Sequence, residues 1–286
     1  MLRRSFWLAA IAAAASPLFP AEALRVMSFN VRYPAPSDGP NRWELRRDLL
    51  VDTIREKNPD LLGTQELFYE QGQYIVEKLP QYTWFGVSRR GSREDEHMGV
   101  FYRPGKLKLL ESGNFWLSET PEVAGSMSWS VSLPRMVTWG LFEIAGSGRR
   151  LYFYNTHFPH RQQDAEARLR CGQVISERIK KLPEDVPFIL TGDFNSPTGS
   201  DVYKLLTTSL TDARTSADRI SGPECTLSGF TGQTSGPRID WILYRGSLRA
   251  VEAETVTRSQ DGRYPSDHYP VFAVLEFSPG PPARGR

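Results

Sequence analysis

TGDFNSP, residues 191–197, decides how this chain reads. It follows an apolar run, Val186–Leu190, that is expected to be a buried strand. The run stops at Gly192. Asp193 and Asn195 then stand two residues apart, so extended backbone would point them the same way. One offers a carboxylate and the other a neutral amide, at a strand end where polar groups converge on ligands. Pro197, Gly199 and Ser200 close the loop. The plain alternative is an Asx turn, with glycine supplying positive φ and asparagine a cap. The seven residues alone leave both readings open, and the other strand ends decide between them.

Upstream, Leu24–Asn30 reads as a strand ending in Asn30, with Arg32 just beyond. A helix over 46–57 is stopped by Asn58-Pro59. A short strand over 60–64 delivers Gln65 and Glu66, and a helix over 69–78 follows. Residues 82–87, 98–102, 137–144 and 151–155 read as strands separated by Gly and Pro. The last of these runs into His157. Residues 111–135, rich in Trp and Ser, show no clear period and are expected to be a long functional loop. A helix spans 164–181. Beyond TGDFNSP come a short helix near 201–206 and two final strands, 239–244 and 271–277. Strand–helix–strand–helix–strands occurs roughly twice with no linker, so one domain of two similar halves, packed sheet on sheet, is expected over 24–278.

The ends of the chain read differently. Arg3-Arg4, an Ala-rich apolar core over 6–15 and Ala21-Glu22-Ala23 make residues 1–23 an expected export signal, placing the protein in the periplasm or outside the cell. Whether export is general or twin-arginine stays open. The apolar run is too short for a membrane span. The Pro/Gly/Arg tail, 279–286, reads as disordered. Net charge is only +2 over 286 residues and nothing in the sequence resembles the basic stripe of a protein that grips duplex DNA through many phosphates, which argues against tight nonspecific nucleic-acid binding but not against a nuclease. Cys171 and Cys225 are the only cysteines. Export would permit a disulfide, but sequence cannot bring the two together.

Polar residues crowd the strand ends: Asn30, Glu66, His157, Asp193, Asn195, Asp240, Asp267 and His268. Buried and unpaired, they would be costly. Gathered around a cation, they make one site. Their oxygens suit Mg²⁺ or Mn²⁺, with Glu66 as first ligand and Asn30 beside it. A carboxylate such as Asp240 on one nitrogen of His268 would fix its tautomer and make it a general base, or a cation beside a phosphate. The spacing of His157 and His160 is a weak transition-metal signal. GxSxG, GxxxxGK[ST] and HExxH are absent.

These residues sit in MSFNVR (27–32), GTQE (63–66), NTHF (155–158), GDFN (192–195), RIDWIL (238–243) and SDHYPV (266–271). In this order they resemble the motifs of the endonuclease/exonuclease/phosphatase superfamily, in an exported bacterial branch related to deadenylase-type proteins. The resemblance implies a DNase I-like α/β fold: a four-layer sandwich of two mixed β-sheets packed face to face, with helices outside. It implies a Mg²⁺- or Mn²⁺-dependent phosphoester hydrolase. Glu66 would bind the metal, helped by Asn30 and Asp267. Asp193 would orient or deprotonate water, or assist the leaving oxygen. Asn195 would hold the phosphate, Asp240 would orient His268, and His157 would donate to a non-bridging oxygen. Glu96 or His97 would stand near His157, as an acidic or aromatic partner does in some relatives. Arg32, Arg135 and His160 are weaker candidates for substrate contact. A phosphodiesterase or nuclease acting as a monomer is the first expectation. A phosphatase or lipid phosphodiesterase on a small phosphoester is the alternative, and a non-catalytic binding protein of the same fold the third.

Overall fold

A computed structural model describes residues 22–278. Residues 1–21 of the expected export signal and the 279–286 tail lie outside the described residues. In chain order the elements are β1 (Ala23–Asn30), α1 (Trp43–Lys57), β2 (Leu61–Gln65), α2 (Tyr69–Lys78), β3 (Thr83–Phe85), β4 (Val100–Tyr102), β5 (Leu107–Trp116), β6 (Met136–Ile144) and β7 (Arg150–His157). They continue with α3 (Ala165–Ile179), β8 (Phe188–Asp193), α4 (Asp201–Leu206), β9 (Thr211–Asp212), α5 (Ala213–Ser216), β10 (Arg219–Ser221), β11 (Asp240–Arg245), β12 (Leu248–Thr255) and β13 (Val271–Phe277). One sheet runs β10-β12-β13-β1-β2-β4-β3 and the other β5-β6-β7-β8-β11-β9. Both are mixed: β1–β2, β10–β12 and β7–β8 are parallel pairs, and the remaining neighbours are antiparallel.

Strand periodicity builds the layers. Leu24 and Val26 of β1, Phe153 of β7, Ile189 of β8 and Ile242 of β11 meet in the core between the sheets. The residues between them face outward. Met27 and Phe29 pack under Leu50, Ile54 and Ile75 of α1 and α2. Leu190, Trp241 and Leu243 pack under Cys171, Ile175 and Leu206 of α3 and α4. Buried on both faces, the central strands are apolar on each until their polar ends, and the result is the four-layer α/β sandwich that the motifs imply.

Four strands depart from the sequence reading, among them the short β9 and β10, which were not expected. β5 occupies 107–116, where the loop expected over 111–135 should begin. Its register slips between Leu109 and Glu111, which breaks the alternation. A Cβ on Gly113 would lie 2.9 Å from the Trp139 ring, so the glycine lets that ring cross the strand. β12 was not expected at all. Ala- and Glu-rich, it has weak strand propensity, and a register shift between Ala250 and Glu252 hides its period. Both cysteines are buried and free, so the disulfide that export would permit is absent.

Candidate active site

Topology brings the polar strand ends to one edge. β1 and β2 run parallel with Asn30 opposite Gln65, and β7 and β8 with His157 opposite Asp193. Antiparallel β11 starts there, with Asp240 opposite Asp193. Asp267 and His268 lead into β13, the antiparallel partner of β1. Asn30, His157, Asp193 and Asp240 thus continue the inward-facing rows of their strands, above the point where the core ends. The chain turns away through left-handed conformations at Arg32 (φ 55°), Glu66 (57°) and Asn195 (48°). Such backbone costs about 1–2 kcal/mol per non-glycine residue and gathers at functional sites. Asn195 is therefore not extended. Its N–H donates to Asp193 Oδ1 at 2.9 Å and its side chain to the Phe158 carbonyl, so the Asx turn and the site are the same object.

A polar layer supports the site from below. Gln65 Nε2 donates to Asn155 Oδ1 (2.7 Å) and Ser28 Oγ (3.2 Å), and Thr191 Oγ1 donates to the same Asn155 oxygen at 3.1 Å. A Cβ on Gly63 would lie 2.3 Å from Thr191 Oγ1 and 2.5 Å from Asn155 Oδ1, so only glycine fits there. Arg46, wholly buried, joins the loops above. It donates to the Asn41, Val31, Arg32 and Pro265 carbonyls. This links the segment after β1 to the one carrying Asp267 and His268. Burial pulls its pKa down to about 10, so it stays charged at neutral pH beneath the acidic edge. Neither device was legible in sequence, because each depends on partners far along the chain.

Asp193 Oδ2 is the hub. It accepts from Asn30 Nδ2 at 2.9 Å, and it lies 3.4 Å from His157 Nε2 and 3.8 Å from His268 Nε2. His268 Nδ1 donates to Asp240 Oδ2 at 2.9 Å. Burial pushes the Asp193 carboxyl up to about 7, with Asp240 adding to it. Burial opposes the charged form of His268, but Asp240 and Asp193 outweigh it and raise its pKa well above the ordinary 6.5. His157 goes the other way: burial, then Arg135, holds it well below 6.5 and neutral. Two neighbouring histidines thus differ in protonation at pH 7, as acid–base work requires.

Glu66 and Asp267 line the same cleft of about 520 Å³, as do Asp193, Asn195, His157 and His268. Glu66 accepts from Asn30 Nδ2 (3.0 Å) and Tyr33 N (3.1 Å). Asn30 presents its nitrogen to both carboxylates, because its own oxygen takes the Arg32 N–H. Asp267 has its pKa raised by burial and by Glu66. Arg32 Nη1 lies 3.7 Å from Asp267 and 4.0 Å from Glu66, although its hydrogen bonds go to Asp38. Two crowded carboxylates in a polar cleft are a hard-oxygen donor set that a divalent cation would relieve. Asp193, Asp240 and His268 also lie close enough together to hold an ion. His268 already spends one nitrogen on Asp240, however, so that trio serves better as a proton relay.

Glu96 is a member that the motifs left undecided. It stands 3.9 Å from His157 Nδ1 and accepts from Arg89 Nη1 at 2.8 Å. His97 turns elsewhere, against Trp84. Burial, with help from Glu66, pushes Glu96 up to about 7 from 4.5. The folded protein then binds the extra proton between those values. The stability Glu96 contributes is present below about pH 4.5 and is lost as pH rises to 7. Glu96→Gln is therefore expected to raise the Tm of the metal-free protein at pH 8 by about 2–4 °C, and to leave it unchanged at pH 4.5. Thermal melts at the two pH values check this. A lower Tm at pH 8 would make Glu96 a stabilising ionised partner of Arg89 instead.

The sequence comparison decides the lineage, since the endonuclease/exonuclease/phosphatase family model matches residues 27–268. The chain belongs to that family. Its members are phosphoester hydrolases, and divalent metals are typical of them. An endonuclease/exonuclease/phosphatase family protein from Bacteroides thetaiotaomicron is 32% identical, with a TM-score of 0.86 over 91% of this chain and 100% of that one. A mannosyl-6-phosphatase from the same organism is also 32% identical, with a TM-score of 0.83 over 89% and 100% of the two chains. Rat nocturnin is 26% identical over 290 residues, 89% of this chain and 65% of that protein. The chain spans about 60–65% of the length of the curated relatives it matches first. Among the described residues of this family member, no helix is long and apolar enough to cross a membrane.

Proposed function

We propose that this protein is an exported, Mg²⁺- or Mn²⁺-dependent phosphoester hydrolase acting as a monomer on a small phosphate monoester. The observation that carries the reading is the convergence of Asn30, His157 and His268 on Asp193 Oδ2, in the cleft that the Glu66 and Asp267 carboxylates also line. Glu66 and Asp267 would hold the metal, which when bound supplies a Lewis acid that offsets the charge of the phosphoryl group. Asp193, poised near neutrality, takes the proton of the attacking water. Asn30 and the Asn195 turn keep its carboxylate in place. His268, held charged by Asp240, and neutral His157 donate to phosphoryl oxygens as negative charge builds. The export signal over residues 1–23 supports an address outside the cytoplasm.

Two observations favour a monoester over the diester that the motifs alone rank first. The 32%-identical relative described as a mannosyl-6-phosphatase matches over nearly its whole length. Net charge is also only +2, and the sequence shows no basic stripe to follow a nucleic-acid backbone. A panel tests the reading: p-nitrophenyl phosphate, hexose 6-phosphates, bis-p-nitrophenyl phosphate, single-stranded DNA and poly(A), each with Mg²⁺ and Mn²⁺. Preferred turnover of the monoesters is expected. Preferred turnover of nucleic acid would restore the diester reading with the same residues.

A further inference from the structure

The lining of the cleft carries a charge that the reaction described above does not use. Arg135 precedes β6 and is 3% exposed. It is one of three guanidinium groups lining the cleft, with Arg32 and Arg89. The other two are committed: Arg32 to Asp38, and Arg89 to Asp95 and Glu96 at 2.8 Å each. Arg135 is not. Its single side-chain hydrogen bond runs from Nη2 to His160 Nδ1 at 3.2 Å. Its nearest carboxylate oxygen, on Glu96, is 3.9 Å away. Nε and Nη1 are buried with no partner.

A buried guanidinium that leaves two nitrogens without acceptors is expensive in the free protein. The cost is recovered when an anion enters and takes the fork. His160 extends the same donor surface. Its Nδ1 accepts from Arg135, so the ring proton sits on Nε2, and burial and then Arg135 keep the ring neutral. The anion that can enter this cleft is the phosphoryl group of the substrate. A phosphate monoester carries about 1.5–2 negative charges at pH 7, whereas a diester carries one. Asp193, Glu66, Asp267 and Glu96 already make the cleft lining acidic, so the second charge of a monoester needs a fixed cation there.

We propose that Arg135, backed by His160, is the seat for the second charge of a phosphate monoester and sets the preference of this site for monoesters over diesters. The assignment rests on the phosphoester-hydrolase reading and names the residue that gives the site its substrate class. Arg89 and Arg32 cannot substitute, because their forks are occupied by carboxylates.

The test measures kcat/KM for p-nitrophenyl phosphate and bis-p-nitrophenyl phosphate with the wild type, Arg135→Met and Arg135→Lys. Arg135→Met is expected to lose about a hundredfold on the monoester, the scale of one lost transition-state donor. The diester falls far less, so the monoester-to-diester ratio collapses. Arg135→Lys keeps the charge without the fork and gives an intermediate ratio. A binding readout accompanies this. Inorganic phosphate raises the Tm of the wild type, and Arg135→Met loses most of that shift. Without phosphate, Arg135→Met melts at or above the wild type, because it removes a buried charge whose Nε and Nη1 lack acceptors and whose nearest carboxylate is 3.9 Å away. An equal loss on both esters, an undiminished phosphate shift, or a much lower Tm that makes Arg135 a structural partner of Glu96 would each overturn the proposal. In those cases wild-type turnover still stands, and with it the hydrolase reading. A wild type that cleaves neither ester would remove both.

Discussion

Asp193→Asn lowers kcat on a phosphate ester by at least about a hundredfold and leaves the protein folded. The change is isosteric, yet it removes the one oxygen toward which Asn30, His157 and His268 all converge. An amide cannot take a proton from water. If the amide nitrogen occupies the Oδ2 position, it faces the Asn30 Nδ2 donor and must break that bond. The stability effect runs opposite to the kinetic one. Asp193 is 1% exposed, and burial pushes its pKa up to about 7. Its ionised form is therefore costly above pH 7, and the asparagine variant should melt no lower than wild type at pH 8. Steady-state kinetics with a parallel thermal melt checks both halves. An unchanged kcat, or a collapse in Tm that explains the lost rate, would remove Asp193 from its place at the centre of the site.

Glu66→Gln raises the Mg²⁺ concentration for half-maximal turnover by at least about tenfold, since loss of outer-shell support alone costs 10–100-fold in metal affinity. Glu66 lies at a left-handed turn directly after β2 and lines the cleft together with Asp267. One carboxylate oxygen is steadied by Asn30 and the other by the Tyr33 N–H. Glutamine keeps the shape and gives up the charge, which separates metal affinity from folding. Calorimetric titration of the variant with Mn²⁺, without substrate, reads affinity directly. Wild-type affinity in Glu66→Gln would move the metal to the Asp193–Asp240–His268 trio.

Much of this site was legible in the sequence, for a physical reason. A polar residue beside an apolar run lies at a strand end, and the ends of parallel strands and the starts of their antiparallel neighbours share one edge. Asn30, His157, Asp193, Asp240 and His268 were found that way, and the structure brings them within hydrogen-bonding range of one another or nearly so. For the Asn195 backbone the sequence left an extended strand end and an Asx turn both open, and the structure has the turn. Its positive φ is a property of the turn, and Gly-Asp-x-Asn suits both a strand end and an Asx turn. Arg46 and the Gln65–Asn155–Thr191 layer left no local signal, because each acts through groups remote in sequence. Among these, Gly63 carried the one readable hint, a glycine inside a strand where another backbone or side chain comes close. β5 and β12 escaped for a related reason. A one-residue register slip erases the period on which strand recognition depends.

The measurement that tests the central claim most directly is phosphate release from p-nitrophenyl phosphate by the wild type and His268→Ala, each with Mg²⁺, with EDTA, and with Mg²⁺ restored. His268 bonds to Asp240 and faces Asp193, while Glu66 and Asp267 supply the hard oxygens. The account predicts turnover by the wild type with Mg²⁺, loss in EDTA, recovery when Mg²⁺ returns, and at least about a hundredfold less in His268→Ala. A rate that is the same in EDTA, or the same in His268→Ala, would contradict it.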